Sequence, residues 1–212
     1  MEAGEVAVKI ENLTKYYGQE KILDSITLTV KQGEAVGIAG PNGAGKSTLL
    51  RIIAGLEPPT QGKVIVRGRV GYVPQEVILL PWRTLRGNIL LAAKLRKIPR
   101  HRAEEVIRWG ARLLGLEEYL NKRPYQVSGG TRRKTQILMA LATDPEILLL
   151  DEPFTGLDRD TITALQKAID RMRRSENLTI IIVSHMIDEI LPIVDKLYIL
   201  THKPARIKEI LE

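Results

Sequence analysis

Gly40-Pro41-Asn42-Gly43-Ala44-Gly45-Lys46-Ser47 satisfies G-x-x-x-x-G-K-[ST], a spacing whose chemistry is phosphate binding. Its glycines let successive backbone N–H groups turn inward onto phosphate oxygens, where side chains would stand in the way. Lys46 places a cation on the β- and γ-phosphates and Ser47 offers a hydroxyl to Mg²⁺. A helix starting at the lysine adds the partial positive charge of its N-terminus. Farther on, Ile147-Leu148-Leu149-Leu150-Asp151-Glu152 is an apolar run ending in two acids. Alone it would read as the start of a capped helix. Beside a phosphate loop, two acids that are costly to bury unpaired imply a cation. Asp151 then holds Mg²⁺ through water, opposite Ser47, and Glu152 polarises the water that attacks the γ-phosphate. The third constellation is Ser128-Gly129-Gly130, between Val127 and Thr131. By itself it is an ordinary helix cap. In this chain it is a second anion-binding device beside a single lysine loop. The economical arrangement is a head-to-tail dimer in which each chain's Ser128–Gly130 closes the other's nucleotide.

The flanking sequence predicts the scaffold. Val6, Val8 and Ile10, then Ile22, Ile26, Leu28 and Val30, fall on period-two spacing, the pattern of an antiparallel sheet. Ala35–Ala39 reads as a buried strand ending at Gly40, and a helix from Lys46 carries Leu49, Leu50, Ile52 and Ile53 as far as Gly55. Two short strands follow, Lys63–Val66 and Val70–Val73. Gln75 to Asn121 is helical in character, with Ala103, Val106, Ile107 and Leu114 on one stripe. A helix opens at Ser128-Gly129-Gly130 and runs through Leu141 to the break at Asp144-Pro145. Ile147–Leu150 and Leu178–Val183 are unbroken apolar strands on either side of a helix over Thr161–Arg174. Strands apolar on both faces, alternating with helices, imply an α/β fold with a parallel sheet. The expectation is a P-loop NTPase core, mostly parallel sheet with flanking helices, plus an N-terminal antiparallel β-subdomain and an inserted α-helical subdomain. At 212 residues the chain fits one domain. Residues 1–74 and 143–212 form the core with its β-subdomain, and residues 75–142 the helical subdomain.

Composition excludes other classes. There is no cysteine, so neither disulfides nor cysteine-ligated metals are available. The formal charge of +7 is not gathered into a basic tract with interleaved aromatics, so it reads as a solvated surface and no nucleic-acid partner is expected. The opening residues 1–18 carry acids and no apolar core, unlike a signal peptide. No uncharged stretch approaches the roughly 18–20 residues that span a bilayer. Service at a membrane would therefore run through a partner.

Taken together, these motifs in this order resemble the nucleotide-binding subunits of ATP-binding-cassette (ABC) transporters over nearly the whole chain. The resemblance implies that ATP lies along Gly40, Pro41, Asn42, Gly43, Ala44, Gly45, Lys46, Ser47 and Thr48. Adenine stacks on Tyr17, with Tyr16 as its nearby competitor. Gln75, in Val73-Pro74-Gln75-Glu76, reaches Mg²⁺ and the attacking water, and joins the core to the helical subdomain. Ser128, Gly129 and Gly130 match the family signature, and Gly156-Leu157-Asp158 the loop that crosses the dimer interface. His185 contacts the γ-phosphate. Implied catalytic residues are thus Glu152, His185, Lys46 and Gln75, with Ser47, Gln75 and Asp151 on the metal. The sequence departs from the family at Thr131, which ends the signature where Gln is usual, and at Val127 and Met139.

Within that family, Leu79-Leu80-Pro81-Trp82-Arg83-Thr84-Leu85-Arg86-Gly87-Asn88-Ile89 and Lys203-Pro204-Ala205-Arg206-Ile207 are similar to subunits serving uptake of nitrate, sulfonates and taurine. That similarity implies an importer of a small organic or inorganic anion, forming on ATP binding a homodimer, or a dimer with a similar subunit, and working with transmembrane permease subunits on the cytoplasmic side of the membrane. Simple two-component exporters are the alternative. Cassettes that act on ribosomes or DNA ends are the third reading; they usually carry a second cassette or a long coiled coil, and neither is present here. The chain ends soon after His185, which leaves no room for a C-terminal regulatory domain. Leu79, Leu80 and Trp82 either pack within the helical segment or dock the membrane partner.

Overall fold

A computed structural model describes residues 5–212; the sequence reading of residues 1–4, as part of a start without a signal peptide, lies outside them. In chain order the elements are β1 (Val6–Tyr17), β2 (Glu20–Lys31), β3 (Ala35–Ala39), α1 (Lys46–Ile53), β4 (Gln61–Val66), β5 (Val70–Val73), α2 (Leu85–Leu95), α3 (Arg100–Leu114), α4 (Gly129–Leu141), β6 (Ile147–Asp151), α5 (Arg159–Glu176), β7 (Thr179–Ser184), α6 (Ile187–Ile190), β8 (Lys196–Leu200) and β9 (Ile207–Leu211). Two sheets result: an antiparallel one in the order β2-β1-β4, and a six-stranded one in the order β5-β6-β7-β3-β8-β9. The first five strands of the larger sheet are parallel and β9 closes its edge antiparallel. This is the α/β architecture expected, with helices inserted between β5 and β6.

The unbroken apolar runs are explained by what covers each face of the parallel sheet. Successive side chains of a strand point to opposite faces. Leu148, Leu150, Ile180 and Ile182 pack with Phe154 and with Leu165, Ile169 and Met172 of α5. Ile147, Leu149, Ile181 and Val183 pack with Leu49, Leu50 and Ile53 of α1, and with Ile10, Leu13 and Ile26 of the antiparallel sheet. Neither face meets water, so neither face needs polar residues. On α3, Ala103, Ile107, Ala111 and Leu114 are buried, close to the predicted stripe, and Val106 lies half-buried beside them.

The structure adds to the sequence reading in three places. The strands predicted at Lys63–Val66 and Val70–Val73 exist but part company, β4 joining the antiparallel sheet and β5 the edge of the parallel one. Helix α5 is longer than Thr161–Arg174. Asp158 caps its start by accepting from Thr161 N at 2.9 Å, and Asn177, with φ +49°, ends it. β8 and β9 were not anticipated, yet β8 lies inside the sheet against β3.

Candidate nucleotide-binding site

Ligands of open parallel sheets sit beyond the carboxyl ends of the strands. Here four adjacent parallel strands deliver the candidate residues to one such end. β5 leads to Gln75, β6 ends in Asp151 and Glu152, β7 leads to His185, and β3 feeds the loop 40–47. Gly45 stands at φ +90°, and a Cβ there would come within 2.7 Å of Ile22 Cγ2, so both backbone shape and space demand glycine.

Lys46 is buried, at 5% exposure, and its ammonium donates to the carbonyls of Gly40 (2.8 Å) and Pro41 (3.1 Å). It also lies 3.5 Å from Glu152 Oε1. The other Glu152 oxygen is 2.8 Å from His185 Nδ1. Glu152 takes φ +48°, a left-handed conformation that costs a non-glycine residue energy and concentrates at functional sites. Asp151, 1% exposed, accepts from Ser47 Oγ at 2.9 Å on one oxygen and from Tyr72 Oη at 3.0 Å on the other. Burial pushes the Asp151 carboxyl above the usual carboxylate range against the pull of those two hydrogen bonds, and the Glu152 charge adds to the upward push. Burial, together with the Asp151 charge, likewise raises the Tyr72 hydroxyl, which keeps its proton and remains a donor.

Of these groups Lys46, Ser47 and Glu152 line a cleft of about 350 Å³. In its lining Lys46, Thr48 and Glu152 are buried, Gly45 and Ser47 half-buried, and Tyr17, Glu20, Asn42, Gly43, Gln75 and Lys203 exposed. Gly40 and Pro41 contribute carbonyls behind it and Ala44 is buried. Tyr17 is 44% exposed, while its hydroxyl donates to Glu57; Tyr16 does not line the cleft. Among the described residues no three His, Cys, Asp or Glu side chains gather to cage a metal. The donor set instead fits Mg²⁺, which keeps several waters and takes one or two carboxylates plus substrate phosphates.

Ser128, Gly129 and Gly130 are in a different setting. Ser128 and Gly129 are exposed, and Ser128 Oγ accepts from Thr131 N at 3.2 Å, capping α4. The Thr131 hydroxyl lies 3.0 Å from the same oxygen, so this departure from the usual signature supports the cap. None of the three lines the nucleotide cleft of its own chain.

Sequence reasoning missed three residues here. Besides Tyr72, the buried Arg133 of α4 donates to the carbonyls of Pro74 (2.8 Å) and Gln75, and Gln136 Nε2 donates to Glu76 O at 2.9 Å. The loop carrying Gln75 is thus tied to the helix that follows Ser128-Gly129-Gly130. A polar pair three residues apart in a helix otherwise rich in surface charge was the available signal, too common to single out. Of the segment after Gln75, Leu79 and Leu80 are half-buried while Trp82 (68%) and Ile78 (61%) stand exposed.

The match with known proteins accords with this geometry. Residues 23–155 match the family model described as ABC transporter. The chain belongs to the ABC transporter family. It is one of that family's ATP-binding ATPases. An uncharacterised ABC transporter ATP-binding protein of Methanocaldococcus jannaschii is 40% identical over 219 residues, covering 98% of this chain and 82% of that protein. The nitrate import ATP-binding protein of Synechocystis is 40% identical over 206 residues; that match spans 92% of this chain but 31% of the larger protein. Among solved structures, the dimeric structure of a bacterial ABC transporter cassette superposes with a TM-score of 0.84 at 28% identity, covering 97% of this chain and 98% of that one. A post-hydrolysis state of the same cassette, bound to ADP and Pi, gives 0.82 at 29% identity, with the same coverage.

Proposed function

We propose that this ABC ATPase energises a membrane transporter by hydrolysing ATP between two copies of itself. The observation that carries the reading is the asymmetry of its two anion-binding devices. The phosphate loop meets Asp151, Glu152 and His185 within one chain, whereas Ser128 and Gly129 face solvent with nothing of their own chain to close upon. In the proposed cycle ATP lies along Gly40–Thr48, its base against Tyr17 and its γ-phosphate toward Gln75 and Glu152. Ser47, Gln75 and Asp151 would hold Mg²⁺, whose charge would offset that of the phosphates.

Lys46 exchanges its ion pair with Glu152 for the β- and γ-phosphates. Glu152 then accepts hydrogen bonding from the attacking water while His185 holds the carboxylate in place. The partner copy's signature, the same Ser128–Gly130 segment, completes the charge complement around the γ-phosphate. Catalysis of phosphoryl transfer is mostly such positioning and electrostatics. Loss of the γ-phosphate removes the bridge and the pair opens.

The motion is passed to transmembrane permease subunits through the segment after Gln75, whose exposed Val77, Ile78 and Trp82 suit an apolar contact. No helix among the described residues is long and apolar enough to cross a membrane. The likeness to transporter ATP-binding proteins supports a peripheral seat on the cytoplasmic face. Relatives named for import of nitrate, for molybdate/tungstate import and for bicarbonate transport support an importer of a small anion. Phosphate release measured against protein concentration tests the shared site. The rate should need Mg²⁺ and climb more steeply than linearly; strict proportionality would contradict a two-chain site.

A further inference from the structure

Tyr72 belongs to no motif, yet its hydroxyl is 3.0 Å from Asp151 Oδ2. In the parallel register Tyr72 lies beside Leu149, two residues before Asp151 and therefore on the same face of β6. The ring runs along that face and reaches the carboxylate at the strand tip. A carboxylate on one Cβ turns broadly about its last torsion. Ser47 holds the other oxygen at 2.9 Å, but its own hydroxyl is the group that the metal would claim. Tyr72 is then the fixed donor that remains. It does not line the nucleotide cleft. Its ring forms a wall of a separate cleft with Leu56, Ala92 and Met139, so removing the hydroxyl leaves the ring's packing in place.

We propose that Tyr72 is a positioning residue, which by hydrogen bonding Oδ2 of Asp151 aims Oδ1 at the Mg²⁺–ATP complex. The inference rests on the reading of Asp151 as the metal-holding carboxylate. Partners that orient a metal ligand typically change metal affinity by about 10–100-fold when removed.

The test compares Glu152→Gln with Glu152→Gln/Tyr72→Phe, in which hydrolysis does not consume the nucleotide. Equilibrium binding of a fluorescent ATP analogue is followed in EDTA and across a Mg²⁺ titration, with thermal melting as a check on folding. The Tyr72→Phe protein should need about tenfold more Mg²⁺ for half-saturation while binding the nucleotide equally well in EDTA. An unchanged Mg²⁺ requirement, or an equal loss in EDTA, overturns the positioning role. If the parent with Tyr72 intact shows no Mg²⁺-dependent binding at all, the reading of Asp151 falls, and the inference with it.

Discussion

The phosphate-loop end and the Ser128–Gly130 segment, both proposed to meet phosphate, sit in opposite settings. At the loop, Lys46, Asp151 and Glu152 are almost wholly buried and partnered within the chain, Lys46 by an ion pair with Glu152, Asp151 by Ser47 and Glu152 by His185. At the signature, Ser128 and Gly129 stand in solvent with Gly130 half-buried beside them, and the Ser128 hydroxyl caps α4. The first is an anion site completed by its own chain. The second, in the proposed reading, is half a site. Buried charges demand partners, so the loop end supplies its own. An exposed helix start has water and can wait for a phosphate brought by another molecule. The contrast also predicts where substitutions act: on nucleotide and metal affinity at the loop, on association at the signature.

The largest expected effect is at Lys46. Lys46→Ala removes the phosphate contact and strands Glu152 without its cation, and ATP affinity should fall on the order of 100-fold, the scale of a lost charge-assisted bond. Isothermal titration of the purified chain measures it, and affinity within a few-fold of wild type would sink the loop's assigned role.

Gly129→Asp sharpens the comparison from the other side. A Cβ at Gly129 meets nothing within 4 Å, so the single chain tolerates the side chain, and an acid in the first turn of α4 suits the helix. Melting temperature and single-chain ATP affinity should hold. The steep dependence of hydrolysis on protein concentration should vanish, because a carboxylate would face the other chain's γ-phosphate. Survival of that dependence would place closure elsewhere.

Asp151→Asn should raise the melting temperature of the nucleotide-free protein at pH 7.5 and abolish the Mg²⁺ dependence of ATP binding. Burial raises the Asp151 pKa, so this group's favourable contribution is present below the unfolded value and is lost as pH rises through the folded one. At neutral pH the charged carboxylate is therefore a cost that the amide lacks. The gain in melting temperature should narrow as the pH drops through the raised pKa; a gain that widens on acidification would refute that origin.

The smallest effect is at the cap. Ser128→Ala should cost about 1 kcal/mol, seen as a fall of about 3 °C in melting temperature.

Much of this was legible beforehand because its causes are local. Glycine, lysine and serine spacing reveals a phosphate loop, and buried parallel strands read as apolar runs such as Ile147–Leu150. What stayed hidden depends on neighbours distant in sequence. Ile207, Ile210 and Leu211 of β9 recur at helical spacing, yet pairing with β8 makes them a strand, tertiary context overriding pattern. β8 is flanked by Asp195 and by a Lys-Pro turn, and only its place beside β3 marks it as a strand inside the sheet. Tyr72 is one half-buried aromatic in a short strand until Asp151 is set next to it. The positive φ of Glu152 leaves no trace in composition, because the residue type there usually avoids it.

The central claim, that two chains share each ATP, is tested most directly by the mass of Glu152→Gln in ATP and Mg²⁺, measured by sedimentation. Slowed hydrolysis should trap a species of twice the 23.8 kDa chain, and ADP should not support it. A protein that binds ATP tightly yet stays at the single-chain mass at every concentration would contradict the shared site.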